Sequence, residues 1–184
     1  MSDDFGAASG APGDEARGAD DLVASARRML EDAFNQGDFS SVDELVAGDA
    51  ISHDPTMPAE LQRIRGPEPF KQVVRQYRMA FPDARMVIDD TIAQGDRVVL
   101  RWHAQGTHRG RLQGLAPTEV QVTTTGISIN RWQDGRMVEV WVEWDNLGLA
   151  RQIGAAPPEG SLGERVGTAI QQLVARRLRR RATA

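Results

Sequence analysis

The strongest constraint on the fold is a change of hydrophobic period partway along the chain. Before Pro82 the apolar residues recur at helical spacing, whereas after it they alternate with polar residues, as they do in strands. The last two alternating runs, 119–133 and 136–145, are joined by Asp134-Gly135, a strong signal for a two-residue hairpin turn. The sequence therefore predicts helices first and a long antiparallel sheet afterwards.

These signals predict an α+β fold, in which helices cover one face of the sheet. The expected architecture is a curved antiparallel sheet with N-terminal helices enclosing a cavity, plus a C-terminal extension helix. A cavity between helices and sheet is a usual place for a small-molecule site. Helices are predicted at 20–37, 38–47, 65–83 and 145–154. A short strand that runs into a proline-containing loop is predicted at 49–58, and longer strands at 84–94, 96–110, 119–133 and 136–145.

The 184 residues fit one domain with two terminal segments. Residues 1–19 are small and polar, which predicts a disordered tail, and 20–154 form the predicted α+β domain. Residues 155–184 are predicted to form a linker and an amphipathic helix, whose start carries the capping-box pattern Ser161-x-x-Glu164.

The end of this last helix is strongly basic, and two interpretations remain open. The helix could dock on the domain with a solvated basic end, or it could contact an acidic partner, a membrane surface or RNA. The arginines concerned are Arg176, Arg177, Arg179, Arg180 and Arg181.

Composition excludes several classes of site. Without cysteine there are no disulfides, thiolate metal ligands or cysteine nucleophiles. The histidines, His53, His103 and His108, are too scattered to predict a metal site. The acidic N-terminal stretch lacks an apolar signal core, so we expect a cytoplasmic protein. The net charge of −4 does not favour specific nucleic-acid binding.

Several motifs together resemble the SnoaL-like polyketide cyclase family, often called ester cyclases, within the nuclear transport factor 2-like superfamily. They are G-T-H-x-G at 106–110, G-I-x-I-x-R at 126–131 and D-x-L-G-L-x-x-Q-I-G at 145–154. The resemblance extends over residues 20–154. It implies a cone-shaped α+β domain, a homodimer, and a pocket that binds a hydrophobic small molecule without a cofactor.

The resemblance also implies a type of chemistry. In family members that close rings, a carboxylate takes a proton next to a carbonyl, and the resulting enolate attacks a second carbonyl. Those members typically have a histidine and an aspartate on either side of the tryptophan of the last strand, where this chain has Val140-Trp141-Val142. A further histidine of that site falls at Ser128. Any acid–base group in this chain must therefore lie elsewhere.

Three residues are the candidate catalytic groups. His53 is predicted to face the helices beside Asp54, and an imidazole there could act as a base near neutral pH. Asp145 could act as an acid or base, or it could only cap the last helix. Glu143 could be catalytic, or it could lie on the outer face of the sheet.

The candidate substrate-binding residues come from the strands, the third helix and the G-T-H-x-G loop. In the ring-closing members that this chain resembles, position 142 faces the cavity. If Val142 does so here, strand alternation places Val138, Val140 and Trp144 on the same side and makes that part of the cavity wall apolar. The six candidates are His108, Ser128, Asn130, Trp144, Trp102 and Tyr77.

Three functions agree with these observations. The first is a cofactor-free enzyme of the cyclase or isomerase type that acts on a polyketide-like or other hydrophobic carbonyl compound. The second is a non-catalytic module that binds a small molecule or a partner. The third is a hydroxylase or hydrolase of the same fold, since one fold hosts many functions.

Overall fold

The computed structural model describes residues 12–62 and 65–182. The helices are α1 (Pro12–Leu30), which continues into a π-helical segment (Glu31–Gln36), α2 (Ser40–Leu45), α3 (Ala59–Gln62), α4 (Pro67–Ala80), α5 (Asn146–Gln152) and α6 (Leu162–Ala182). The strands are β1 (Val46–His53), β2 (Arg85–Gln94), β3 (Arg97–Thr107), β4 (Gln121–Gln133) and β5 (Arg136–Trp144). No helix within these ranges has both the length and the apolarity that a membrane crossing requires.

The first helix is longer than the sequence indicates. It begins at Pro12, a residue tolerated in a first helical turn, and not at Asp20. Of the predicted tail, residues 1–11 lie outside the described residues, while 12–19 belong to α1. The helical run ends at Gly37, as predicted, because this glycine adopts the left-handed conformation with φ 77°.

The sheet has the strand order β1-β5-β4-β3-β2. Neighbouring strands from β2 to β5 pair antiparallel, so the predicted meander is confirmed. Asp134 and Gly135 both have positive φ, as the predicted hairpin turn between β4 and β5 requires. The sequence did not indicate that β1 pairs parallel with β5 and extends the sheet.

One face of the sheet is covered by helices and the other is open. Buried side chains of α1, α2 and α4 pack against inward-facing residues of the strands, among them Leu100, Trp102 and Val140. The opposite face, hereafter the outer face, exposes apolar residues such as Ile127 and Ile129. This arrangement confirms the predicted α+β class with helices on one side of a curved sheet. The predicted homodimer stays a prediction.

A bulge in β5 changes part of the predicted alternation. Between Arg131 and Trp132 the register shifts, so that their partners on β5 are Glu139 and Met137, and Val138 becomes the extra residue. Met137 therefore lines the cavity in place of the predicted Val138.

The C-terminal helix is present, and its predicted cap is confirmed in part. The Ser161 hydroxyl accepts a hydrogen bond from the Glu164 amide at 3.2 Å, as a capping box requires. The Glu164 carboxylate accepts from the Gly160 amide at 2.6 Å and from the Arg151 guanidinium at 2.8 Å. Glu164 thus links the first turn of α6 to α5.

Candidate active site

The space between helices and sheet is a cavity with two connected chambers. The outer chamber, beside α4 and α5, has a volume of about 120 Å³ and opens to solvent, and the inner chamber has a volume of about 70 Å³. Both are lined mainly by apolar side chains, as small-molecule sites usually are. The residues that line both chambers are Phe34, Asp54, Val73, Met86, Trp102 and Val142.

Asp54 is the acidic residue of this cavity. Among the described residues it is the only Asp or Glu that lines either chamber. It follows the end of β1 and is 8 % exposed. Its Oδ1 accepts hydrogen bonds from the amide of Thr56 at 2.8 Å and from the hydroxyl of Thr56 at 2.7 Å. In the part of the chain that the structure describes, no hydrogen bond reaches Oδ2, which leaves that oxygen available for a ligand.

Thr56 connects this carboxylate to two aromatic side chains. The Trp144 indole Nε1 donates to the Thr56 hydroxyl at 3.1 Å, and that hydroxyl in turn donates to Asp54. Tyr77 packs edge-on against Trp144, with ring centroids 5.8 Å apart and an interplanar angle of 90°. The chain of hydrogen bonds fixes the orientation of the carboxylate, which general acid–base chemistry needs.

Tyr77 remains a neutral hydroxyl over the whole physiological range. Burial raises the pKa of Tyr77 from 10.0 to about 12, and the negative charge of Asp54 acts in the same direction. A hydrogen bond with Thr56 has the smaller, opposite effect on the pKa. At pH 7 the Tyr77 side chain is therefore an uncharged part of the outer chamber wall.

This raised pKa can be measured directly, because Tyr77 is the only tyrosine of the chain. We expect the absorbance change of tyrosine ionisation to be centred near pH 12 in the folded protein and near 10 in urea. Because the folded pKa is the higher one, folding stability should fall as the pH rises from about 10 to 12. A Tyr77→Phe variant supplies the blank, and a folded-state midpoint near 10 would contradict the burial of the hydroxyl.

The inner chamber ends at two buried polar side chains. Ser128 is 7 % exposed and Asn130 is 2 % exposed, and both lie on β4 facing the helices. The Asn130 amide makes one long hydrogen bond, 3.5 Å, to the Val98 carbonyl. No hydrogen bond of the Ser128 side chain occurs within the described residues. Both groups can therefore bind a polar atom of a ligand.

The position of Trp102 between the two chambers depends on Gly126. Trp102 and Gly126 are direct partners on β3 and β4. A Cβ at Gly126 would overlap the indole and lie only 2.6 Å from its Cη2 atom. The missing side chain lets the Trp102 ring lie directly against β4 at Gly126, where it lines both chambers.

Comparison with known proteins agrees with this architecture. The family model of the SnoaL-like polyketide cyclases matches residues 24–153. The chain belongs to this family. No curated protein matches its sequence.

Solved structures of the same fold cover nearly the whole domain. IdmH, a proposed polyketide cyclase from Streptomyces antibioticus, is 31 % identical, with a TM-score of 0.60 over 74 % of this chain and 98 % of its own. TsrD from Streptomyces laurentii is 27 % identical, with a TM-score of 0.62 over 72 % and 96 %. AclR, a proposed hydroxylase from Streptomyces galilaeus, is 21 % identical, with a TM-score of 0.67 over 86 % and 97 %, and shows the fold alone.

The strand that carries the family's usual acid–base groups is apolar on its inner side. Val142 lines both chambers and Val140 lines the inner one. Trp141 lies on the outer face, as strand alternation predicts. The carboxylate of this cavity thus comes from the end of β1 instead of from β5.

The structure corrects the predicted placement of His53. The side chain does not face the helices; it lies on the outer face, stacked on Trp141 with ring centroids 5.1 Å apart. Its Nε2 is 2.9 Å from Oε1 of Glu139. The hydrogen bond to His53, and then those from Arg131, lower the pKa of Glu139. The prediction assigned His53 to the wrong face of β1, because the sequence did not show that β1 pairs with β5 and so places His53 beside Trp141.

Glu143 and Asp145 also lie outside the cavity wall. Glu143 is exposed on β5, opposite Ile127 of the outer face. Asp145 is the N-cap of α5, since its Oδ1 accepts from the Gly148 amide at 2.7 Å. The geometry favours the alternative interpretation of each residue, an outer-face position and a helix cap.

The cap can be tested apart from catalysis. Asp145→Ala should lower the free energy of unfolding by about 1 kcal/mol, because the Gly148 amide loses its acceptor. Asp145→Asn should retain most of that stability, since asparagine also caps helices. Urea unfolding measures both changes, and equal stability of the wild type and the alanine variant would contradict the capping role.

Five of the six predicted substrate-binding residues line the cavity. They are Ser128, Asn130, Trp144, Trp102 and Tyr77. The sixth, His108, is fully buried behind Phe81, with ring centroids 5.2 Å apart, and is not among the lining residues. Its Nδ1 lies 3.1 Å from the Thr118 hydroxyl, so it fastens the loop between β3 and β4.

Asp54 and Thr56 were not predicted as site residues, although a signal for Asp54 is present. Ala50 is buried and Ser52 lines the inner chamber, and Asp54 continues this alternation. Ile51 is the most apolar residue of the stretch and favours the opposite assignment, which would turn His53 inward. Among the described residues no group of three or more histidine, aspartate or glutamate side chains is placed to hold a metal ion.

Proposed function

We propose that this protein is an enzyme that uses its own side chains to rearrange a hydrophobic, polyketide-like carbonyl compound, with Asp54 as the general base. One observation carries the proposal. Asp54 lines both chambers, has one oxygen held by Thr56, and leaves the other free toward the ligand space. A base that is oriented in this way contributes about 10²–10⁴-fold to a proton transfer.

The proposed reaction is an intramolecular carbon–carbon bond formation. Oδ2 of Asp54 takes a proton from a carbon next to a carbonyl, and the electron pair moves onto the carbonyl oxygen. The enolate carbon then attacks a second carbonyl of the same molecule, which closes a ring. The new alkoxide takes the proton back from Asp54, so the reaction is an isomerisation without loss or gain of atoms.

Ser128 and Asn130 are the proposed ligands of the carbonyl oxygen. Both are buried donors, and hydrogen bonds to a developing negative charge are strongest where the donors are held away from solvent. The apolar walls of the outer chamber, which include Trp102, Trp144 and Phe81, suit a fused or aromatic ring system. The family membership and the similarity to IdmH support the same substrate class.

A non-catalytic binding module is the second candidate. The observation that favours it is the apolar inner side of β5, where Val140 and Val142 replace the residues used by ring-closing relatives. Such a module would bind the same hydrophobic compounds but would leave them unchanged.

The test combines binding and turnover on one substrate panel. Polyketide-derived ketones and keto esters are mixed with the purified protein; quenching of tryptophan fluorescence follows binding, and chromatography follows products. An isomeric ring-closed product supports the proposed function, whereas tight binding without any product supports the module. Hydrolysed or hydroxylated products would point to the third function considered above.

A further inference from the structure

Helix α6 has an apolar side that nothing in the described chain covers. Its 21 residues span about 31 Å at the usual helical rise. Six aliphatic side chains recur at intervals of one turn and are 48–75 % exposed. They form the apolar stripe of α6, which consists of Leu162, Val166, Ile170, Leu173, Val174 and Leu178.

The domain contacts a different side of this helix. Gly163, Glu164 and Gly167 line a groove against α5 and the linker that precedes α6. The ion pair between Glu164 and Arg151 fastens the first turn there. The helix is therefore attached to the domain at its start, with the apolar stripe outside that contact.

The charge of α6 is opposite to that of the remaining chain. Six arginines and one glutamate give the helix a net charge of +5, although the whole chain carries −4. The rest of the protein is therefore strongly negative. Five of these arginines fall within residues 176–182, directly beyond most of the apolar stripe.

We propose that α6 is a peripheral membrane anchor that lies in the surface of an anionic bilayer. An amphipathic helix buries its apolar side at the boundary between headgroups and acyl chains, while arginines bind anionic headgroups. The aliphatic stripe and the adjacent basic end of α6 supply both contributions. The acidic domain is repelled by the same surface, so the helix is the part that makes contact.

Other occupants fit the same features less well. Two parallel copies of α6 would bring their arginine ends together, and an antiparallel copy offers only Glu164, which already pairs with Arg151. RNA would contact the arginines but would leave the aliphatic stripe uncovered. The helix also contains no aromatic side chain on which a base could stack.

The experiment is vesicle co-sedimentation with the full chain. Vesicles of phosphatidylcholine alone are compared with vesicles that also contain phosphatidylglycerol. The variants are Arg179→Gln/Arg180→Gln/Arg181→Gln for charge and Ile170→Ser/Leu173→Ser for the stripe. Matched controls are Arg97→Gln/Arg111→Gln/Arg136→Gln on the domain and Gln171→Ser/Gln172→Ser on the polar side of α6.

We expect binding to the anionic vesicles only, weakened by salt. The arginine variant should bind about 10²-fold more weakly, since each arginine near an anionic surface contributes several-fold. The stripe variant should lose at least about tenfold, and both controls should bind like the wild type. Equal binding to neutral vesicles, or no binding to either kind, would overturn the proposal.

Two further results would reassign the helix. If the wild type sediments as a dimer in the absence of vesicles and the stripe variant as a monomer, a second copy covers the stripe and the membrane proposal fails. It also fails if RNA displaces the protein from vesicles and binds the stripe variant with unchanged affinity. None of these readouts depends on enzymatic turnover, so the outcome is independent of the proposed function.

Discussion

Asp54→Asn is expected to lower kcat by about 10²–10⁴-fold while the affinity for the substrate stays nearly constant. Asparagine has the same shape and can still accept the hydrogen bonds of Thr56, but it cannot take a proton at neutral pH. The loss should therefore appear in the chemical step. Rapid mixing under single-turnover conditions separates that step from binding.

The matched controls are the carboxylates that the sequence suggested. Glu143→Gln and Asp145→Asn make the same chemical change outside the cavity wall, and both should retain turnover within about twofold. Full activity of Asp54→Asn would refute the assignment of the base. A loss in Glu143→Gln equal to that in Asp54→Asn would show that the outer face takes part in the reaction.

Trp102→Ala is expected to lower the free energy of unfolding by about 3–5 kcal/mol, because a large and nearly buried side chain leaves a hole between the two chambers. Gly126→Ala should lower it by about 1–3 kcal/mol, since the new methyl group overlaps the indole. Both variants should also weaken ligand binding, because the Trp102 ring lines both chambers.

A double-mutant cycle tests whether the stability losses of Trp102→Ala and Gly126→Ala both arise from the contact between these two residues. In the Trp102→Ala background, Gly126→Ala should cost little or should stabilise, because the overlap is gone and alanine suits a strand better than glycine. Gly48→Ala on β1 is the control, since nothing lies within 4 Å of its new Cβ. Additive changes in urea unfolding would contradict a direct contact between Trp102 and the residue at position 126.

The fold could be predicted from the sequence to a large extent. The α+β class, the Asp134-Gly135 hairpin and the Asp145 cap depend on local signals, namely hydrophobic period, turn chemistry and capping. Each of these signals involves residues that are close together in the sequence, so a single sequence is enough to identify them. The sequence places the start of α1 too late, at Asp20 instead of Pro12, because the first turns of this helix are polar and show no apolar periodicity.

The candidate site was predicted only in part, because the face of the sheet that a strand residue occupies depends on its position in the alternation more than on its residue type. Ser128 and Val142 stand at positions that form the site in ring-closing relatives, and regular strand alternation from them places Asn130 and Trp144 on the same face. His53 and Asp54 are consecutive residues, and consecutive residues of a strand point to opposite faces of the sheet. A prediction that assigns the wrong face to one of them therefore assigns the wrong face to both.

The sequence by itself determined that helices precede a long antiparallel meander, where its last hairpin turns, and the family to which the chain is similar. The tertiary structure alone decided which carboxylate enters the cavity. That choice depends on the parallel pairing of β1 with β5, a contact between residues about ninety positions apart that no local pattern encodes. The same pairing places His53 against Trp141 and Glu139, and leaves the carboxylate of Asp54 between the two chambers.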